Sequence, residues 1–226
     1  MTALLAVTPA QAEMLSGFYI RGDAGGSASE SIRGDLADLA TGNGGGFGGD
    51  LGTSPLVGVG AGVILPYDFR TDVTVSWRGT FGVSHQESDP NSGLFLGAKS
   101  TNSHSLAVLA NLYYDINLGS VFTPYVGAGV GFAYNSLGDV TYTANGTTTS
   151  TEDGDDKVSL AWAAMAGVAY QATSAIQIDL GYRYLDAGEF RSSGVVKDTL
   201  GNTLSASPVT ADLHAHEVQV GLRYTF

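Results

Sequence analysis

The sequence predicts an all-β fold, an eight-stranded antiparallel up-and-down transmembrane β-barrel, and three observations support this prediction. Residues 217–226 alternate polar and apolar side chains without a break, as a β-strand with one wet and one apolar face does. Seven further segments alternate similarly, and the connections between them are alternately short and long. No apolar run approaches the ~18 residues that a membrane helix needs, so a membrane span of this chain would be built from strands.

The eight predicted strands are each close to or longer than the ~9–11 residues with which a tilted strand crosses a bilayer. In chain order they are 17–25, 55–65, 70–83, 103–115, 122–135, 158–171, 175–185 and 213–226. The short connections are 66–69, 116–121 and 172–174, and the long ones are 26–54, 84–102, 136–157 and 186–212. Such alternation is typical of outer-membrane barrels, with short periplasmic turns, long extracellular loops and both termini in the periplasm. The alternative, a soluble lipocalin-like barrel, would turn the charged strand faces outward.

The strand faces that carry charge are expected to line the barrel interior, because a charge facing lipid at mid-depth costs roughly 2–4 kcal/mol. An eight-stranded barrel leaves an interior just wide enough for side chains. We therefore predict a locked ion-pair network, with Arg78 within reach of Asp179, and the alternative is a gated narrow pore through that network. The predicted interior network consists of Arg21, Asp23, Asp72, Arg78, Asp179, Arg183, Glu217 and Arg223.

Small and aromatic residues complete the predicted barrel. The fifth strand turns Gly127, Gly129 and Gly131 inward, and we expect Tyr19 and Arg21, from across the barrel, to fill the space that they leave. Aromatic residues near strand ends are expected to form an interfacial girdle at the short-turn side. These are Tyr67, Phe69, Tyr114, Phe122, Tyr170 and Phe226.

The N-terminus has the features of an export signal. Residues 3–7 are apolar, and Ala10-Gln11-Ala12 fits a small-x-small cleavage site. We expect residues 1–12 to be a truncated signal peptide and residues 13–226 to form a single barrel domain. A disordered apolar tail is the alternative.

Charge is concentrated in the connections. The chain carries a net charge of −12, which argues against a nucleic-acid partner because phosphate binding needs a basic surface. The four long connections hold 15 of the 22 acidic residues and 5 of the 10 basic ones, so the extracellular side is expected to be acidic. The acidic run 152–156 lacks EF-hand spacing and is interpreted as a solvated loop tip, with cation bridging to lipopolysaccharide as the alternative. Cysteine is absent, which excludes disulfides and thiol chemistry, and we expect no cofactor.

All four histidines, His85, His104, His214 and His216, lie near the long-loop ends of strands. Imidazoles ligate zinc and haem iron, so a metal or hemin site is one hypothesis, and polar interfacial residues are the alternative. A hydrolytic site would need Ser, His and an acid within hydrogen-bond reach. Because His104 and Ser105 are neighbours on opposite strand faces, we expect no enzyme.

Four segments carry a resemblance to a known family. They are the processing site 10–12, the first strand 17–22, the glycine-rich run 125–131 and the ending 220–226. Together they resemble the opacity-type porin or OmpA-like family of outer-membrane surface proteins. The resemblance implies an envelope structural protein, adhesin, immune-evasion factor or hemin binder, embedded in outer-membrane lipid and lipopolysaccharide. We expect a monomer with a structural and surface-interaction role, and a host-ligand binder or narrow porin as alternatives.

The C-terminal aromatic residues carry a further implication of this resemblance. In such families the terminal Phe belongs to the signal that the barrel-assembly machinery recognises. Phe226 is in phase with Tyr224, so both are expected to meet lipid at the periplasmic rim and to serve as that assembly signal.

Overall fold

The computed structural model describes residues 17–29, 31–36, 45–50, 53–88, 95–144, 147–205 and 210–226, and the expected signal peptide lies outside them. Within these residues no helix is long and apolar enough to cross a membrane. The regular structure that they form is entirely β. Its strands are β1 (Phe18–Ser29), β2 (Ser31–Leu36), β3 (Gly45–Asp50), β4 (Thr53–Ile64), β5 (Phe69–Ser88), β6 (Phe95–Asp115), β7 (Phe122–Ser136), β8 (Val140–Ala144), β9 (Thr147–Gly154), β10 (Asp156–Gln171), β11 (Ile176–Asp198), β12 (Thr203–Ser205) and β13 (Thr210–Thr225).

Eight of these strands close into a barrel. In the order β1, β4, β5, β6, β7, β10, β11 and β13, each pairs antiparallel with the next. The last strand pairs with the first from Tyr19 opposite Thr225 to Ser29 opposite Ala215, so the ladder has no open edge at this seam. Closure matters in lipid because unpaired backbone groups cost several kcal/mol each there. The structure confirms the predicted eight-stranded up-and-down barrel.

The barrel wall has an apolar outer face and a buried inner face. On β13, Val220 is 55 % exposed on the outside, whereas its neighbour Gln219 points inward and is 7 % exposed. The same alternation runs along β1, β7 and β10. The strand faces therefore lie as the charge argument predicted, with apolar side chains available to acyl chains.

The three short turns are tight, and we call this end of the barrel the short-turn end. Between β4 and β5, Tyr67 and Asp68 both have a φ of 63°, and Leu65 N donates to Phe69 O at 2.8 Å. Non-glycine residues rarely adopt this left-handed conformation, and a tight turn is where they do so. Between β10 and β11, Thr173 Oγ1 accepts hydrogen bonds from the backbone N–H groups of Ala175 and Ile176.

The opposite, long-loop end contains more strand than the sequence predicted. Strand β5 continues to Ser88, β6 begins at Phe95 and β11 runs to Asp198, all within segments expected to be loops. The hairpin β8–β9 is inserted above β7 and β10, and it pairs with β6 on one side and with β11 on the other. Antiparallel pairing therefore continues past the apolar band. It provides hydrogen-bond partners for backbone N–H and C=O groups that would otherwise lack them.

Candidate functional site: the barrel lumen and the long-loop rim

Two arginines share one glutamate near the long-loop end of the lumen. Arg78 Nε donates to Glu217 Oε1 at 2.5 Å, and Arg183 Nε donates to Glu217 Oε2 at 2.5 Å. Arg78 Nη2 also donates to Ser76 Oγ at 3.3 Å. Glu217 and Arg78 are both 0 % exposed, so this loop-side cluster (Arg78, Arg183 and Glu217) is a buried ion triad.

A second cluster fills the lumen toward the short-turn end. Arg21 Nη2 donates to Asp23 Oδ1 at 2.7 Å, and Arg21 Nη1 donates to Asp72 Oδ2 at 3.4 Å. Asp72 also accepts hydrogen bonds from Tyr19 Oη at 2.9 Å and from Asn111 Nδ2 at 2.7 Å. The carboxylate of Asp72 is therefore held by three side chains from two other strands, β1 and β6.

Arg223 and Asp179 form a separate pair, with Arg223 Nη2 donating to Asp179 Oδ1 at 3.2 Å. The expected approach of Arg78 to Asp179 is wrong, because Arg78 pairs with Glu217. Opposite positions in the strand order say which side chains can face each other across the lumen. Whether two such side chains also lie at the same height along the barrel depends on the stagger of the strands, which the sequence does not display.

Arg70 closes the lumen at the short-turn end, and the sequence analysis did not include it. Its Nε donates to Asp115 Oδ1 at 2.9 Å. Its guanidinium lies 3.8 Å from the ring centroid of Tyr113 and 4.7 Å from that of Tyr125, and the side chain is 0 % exposed. Arg70 is two residues before Asp72 and on the same strand face, so the strand period could have identified it. Together with Tyr19, Arg21, Asp23, Asp72, Asp115 and Tyr113 it forms the turn-side cluster.

The other half of the lumen is apolar, which the sequence analysis also missed. The buried residues in it come mostly from β6, β7 and β10, and many are alanine. They are Ala107, Leu109, Tyr113, Tyr125, Ala133, Leu137, Ala161, Ala163, Met165, Leu185, Ala187 and Leu213. On β7 and β10 these inward residues alternate with outward residues that are equally apolar, so polarity marks the inward face there far less than Ser105, Asn111 and Asp115 mark it on β6.

Glycines stand directly opposite large inward side chains. On β4, Gly62 pairs with Tyr19 and Gly60 with Arg21. On β7, Gly127 pairs with Tyr113 and Gly129 with Asn111. The expectation that Tyr19 and Arg21 fill the space beside these β7 glycines is wrong, because Tyr113 and Asn111 fill it. Directly paired residues on adjacent strands have Cβ atoms ~5 Å apart, so a large side chain occupies the space above the glycine with which it is paired.

The histidines face outward at the long-loop end wherever their side chains are described. His216 Nδ1 and Tyr182 Oη share a hydrogen bond of 2.6 Å, and His214 Nε2 lies 3.5 Å from Asp186 Oδ2. His104 is half-buried on β6, and the side chain of His85 lies outside the described set. Within that set, no group of three or more His, Cys, Asp or Glu residues is arranged to hold a metal ion.

Aromatic residues lie at both ends of the outer face. At the short-turn end, ring centroids are 5.2 Å apart in Phe69–Tyr114, 5.3 Å in Phe122–Tyr170 and 5.1 Å in Tyr224–Phe226. This is the girdle that the sequence predicted. A second group at the long-loop end was not predicted, and it consists of Tyr134, Trp162, Tyr182 and Tyr184.

Beyond the membrane band, the connection between β11 and β12 is a compact turn. Asp198 Oδ1 accepts hydrogen bonds from the backbone N–H groups of Leu200 and Asn202, and Asp198 Oδ2 accepts one from the Asn202 side chain at 2.7 Å. The hydrogen bond from the Asn202 side chain is the main cause that lowers the pKa of Asp198 below its ordinary value.

Known proteins resemble this chain in sequence and in fold. A family model described as outer membrane protein beta-barrel domain matches residues 1–226. The outer membrane protein PagN of Salmonella typhimurium is 27 % identical over 183 residues, 74 % of this chain and 72 % of that protein. A putative adhesin of Rickettsia typhi is 26 % identical over 174 residues, 74 % of this chain and 73 % of that protein. The outer membrane protein OprG of Pseudomonas aeruginosa has the same fold, with a TM-score of 0.60 at 15 % identity over 94 % of this chain and 97 % of its own.

Proposed function

The chain belongs to the outer membrane protein beta-barrel domain family, and on this premise we propose that it supports envelope integrity and surface interaction as a closed, monomeric barrel. It is an integral protein of the outer membrane. The observation that carries the closed-barrel proposal is the lumen, in which charged clusters at two heights and an apolar half fill the interior. We further propose that both termini lie in the periplasm and that the long-loop end faces outward.

The long-loop end supports the surface-interaction role. The hairpin β8–β9 is hydrogen-bonded to β6 and β11, so it continues the barrel wall as ordered sheet beyond the apolar band. The ion pair between Lys197 and Asp153 links β11 to this hairpin, with Nζ 2.5 Å from Oδ2. Ordered strands lose less conformational entropy on binding than loose loops do, which favours contact with an extracellular ligand. The similarity to a putative adhesin agrees with this role.

An attachment assay tests the surface role. Bacteria that display the parent protein are compared, on a host-cell monolayer, with bacteria displaying a variant in which residues 141–151 are replaced by a two-residue turn. Unboiled gel mobility first shows that both proteins are folded in the outer membrane. We expect the variant to attach less, and equal attachment at equal protein levels would refute a binding role for this hairpin.

Planar-bilayer recording tests the closed lumen. We expect little steady conductance from the parent protein, because the loop-side and turn-side clusters each block the interior. Arg78→Ala should raise conductance, since it removes the guanidinium that Glu217 holds in the lumen. Large, stable conductance steps from the unmodified protein would instead support a narrow porin. We propose no catalytic role, and the outward His104 and inward Ser105 lie on opposite faces of β6.

The assembly role of Tyr224 and Phe226 is also a proposal. Phe226 N donates to Phe18 O at 3.0 Å beside the seam between β13 and β1, and its exposed ring packs against Tyr224. Deleting Phe226 removes this ring from the interface where aromatics are favoured. We expect lower outer-membrane levels for this deletion than for deletion of residues 147–150, measured by immunoblot of membrane fractions. If both deletions accumulate like the parent, Phe226 is not an assembly signal.

A further inference from the structure

Five rings form a continuous patch on the outer face of β10, β11 and β13 at the long-loop end. Ring centroids are 5.6 Å apart in Trp162–Tyr184, 6.3 Å in Tyr184–His214 and 6.0 Å in Tyr182–His216. Tyr184 also meets His216 at 5.4 Å, so it lies at the centre of the group. We call Trp162, Tyr182, Tyr184, His214 and His216 the rim plate.

The rim plate carries hydrogen-bonding atoms on an otherwise apolar surface. Trp162 Nε1 donates to Asp186 Oδ2 at 3.0 Å, and Asp186 also lies 3.5 Å from His214 Nε2. Tyr182 Oη and His216 Nδ1 share a hydrogen bond. These contacts fix the ring orientations and place imidazole and carboxylate groups at the edge of the plate. A ligand that fits this position has one face that stacks on the aromatic rings, and it has polar groups around the edge of that face.

The surface directly beneath the plate suits acyl chains. On the same strands, Leu180, Val218 and Val220 are exposed toward the short-turn end, in the band that contacts lipid. The plate is therefore continuous with the membrane-facing surface, where a headgroup meets its own chains. Next to the plate, Ala28 of β1 pairs with His216, and the outward residue at this end of β4 is Pro55, so the continuous ring cluster ends at β13.

We propose that the rim plate binds the sugar headgroup of one outer-leaflet glycolipid, the acylated glucosamine disaccharide of lipopolysaccharide. A pyranose ring has an apolar C–H face that stacks on aromatic rings and hydroxyls that reach Asp186 and the histidines. The acyl chains of the same molecule lie along Leu180 and Val218. A phospholipid headgroup such as that of phosphatidylglycerol has no such ring face, and because both lipids carry phosphate, the sugar face is the feature that distinguishes them. This inference rests on the proposed orientation, which places the long-loop end in the outer leaflet.

The chain provides a matched pair of tryptophans for the test, since it has two and both are on the outer face. Trp162 is 46 % exposed and lies in the plate, whereas Trp77 is 42 % exposed on β5, outside it. Folded protein in detergent is titrated with lipid A and with phosphatidylglycerol, and bound lipid is counted by native mass spectrometry. We expect Trp162→Leu to weaken lipid A retention roughly fivefold to tenfold, and Trp77→Leu to leave it unchanged. In the Trp77→Phe variant, Trp162 becomes the sole tryptophan, and its emission should shift with lipid A.

Two results would overturn the proposal. One is equal loss of lipid A in Trp77→Leu and Trp162→Leu, which would indicate a general girdle without a site. The other is retention of phosphatidylglycerol as strongly as lipid A. Orientation is tested separately, because the chain has no cysteine and Thr147→Cys introduces a single exposed thiol. Labelling of this thiol on intact cells by a membrane-impermeant maleimide supports the outward long-loop end, and labelling only after lysis would refute that orientation while leaving lipid binding in detergent to be judged by itself.

Discussion

The two halves of the lumen are filled by different physical means. On β1, β5, β11 and β13, the inward charged side chains form ion pairs, most of them between different strands, such as Arg78 with Glu217. On β7, β10 and the middle of β6, the interior is mainly alanine, glycine and a few large apolar residues such as Leu109. The charged half depends on particular partners, because removal of one leaves another charge buried without compensation. The apolar half depends on volume, because any residue of similar size and polarity fills it.

The largest expected effect is at the centre of the charged half. Glu217→Gln removes the carboxylate that neutralises both Arg78 and Arg183, so we expect the free energy of unfolding to fall by about 3–5 kcal/mol. Urea titration of the detergent-folded protein, followed by tryptophan fluorescence, measures this change. The control is Glu189→Gln, which breaks the partly exposed pair with Lys157 and should cost at most about 1 kcal/mol. Equal effects of the two substitutions would mean that burial does not determine how much the ion triad contributes to the free energy of unfolding.

A slightly smaller loss is expected in the apolar half. Leu109 is fully buried opposite Gly131, so Leu109→Ala leaves a cavity that its glycine neighbour cannot fill. We expect a loss of about 3 kcal/mol in the same urea assay. Leu109→Met, which keeps the volume, should cost less than about 1.5 kcal/mol. If Met is as damaging as Ala, the apolar half requires particular partners as the charged half does, and the comparison fails.

Glycine is needed where large inward side chains pack closely against the backbone of the barrel wall. A Cβ at position 62 would lie 2.7 Å from Tyr19 Cζ and 2.6 Å from Asp72 Cβ. We therefore expect Gly62→Ala to lower the free energy of unfolding by about 1–3 kcal/mol. Gly22 on the outer face of β1 is the control, since a Cβ there meets nothing within 4 Å. Similar melting temperatures for both variants would show that the turn-side cluster can shift aside.

The smallest expected effect concerns the histidines, which lie outside both halves of the lumen. The hemin hypothesis predicts tighter binding by the parent than by a variant with His85, His104, His214 and His216 all changed to Ala. Because His216 is bonded to Tyr182 and His214 faces Asp186, we expect hemin titrations followed by absorbance to give the same weak binding for both. A clear shift of the Soret band with the parent alone would instead support the hypothesis of a metal or hemin site.

Much of the barrel followed from local pattern. The period of two in each segment placed eight strands and assigned their inner and outer faces, and the charged residues identified most of the ionic half of the lumen. Arg70 was within reach of the same reasoning but was not included. The apolar part of β10 was out of reach, because inward Ala161 and Ala163 alternate with outward residues that are equally apolar. Where no polar residue marks one face, the period of two does not say which face is inside.

The sequence by itself determined the number of barrel strands, the alternation of faces and the acidic character of the long connections, because these depend on neighbours a few residues apart. Only the tertiary structure decided which charges pair, how far the strands extend past the apolar band, and which side chain fills the space beside each glycine. These features depend on the stagger between strands, which accumulates around the closed ladder and is fixed only when β13 meets β1. The pairing of Glu217 with Arg78 and the meeting of five rings at one side of the rim therefore depend on the relative positions of several strands, and the sequence of a single strand does not determine them.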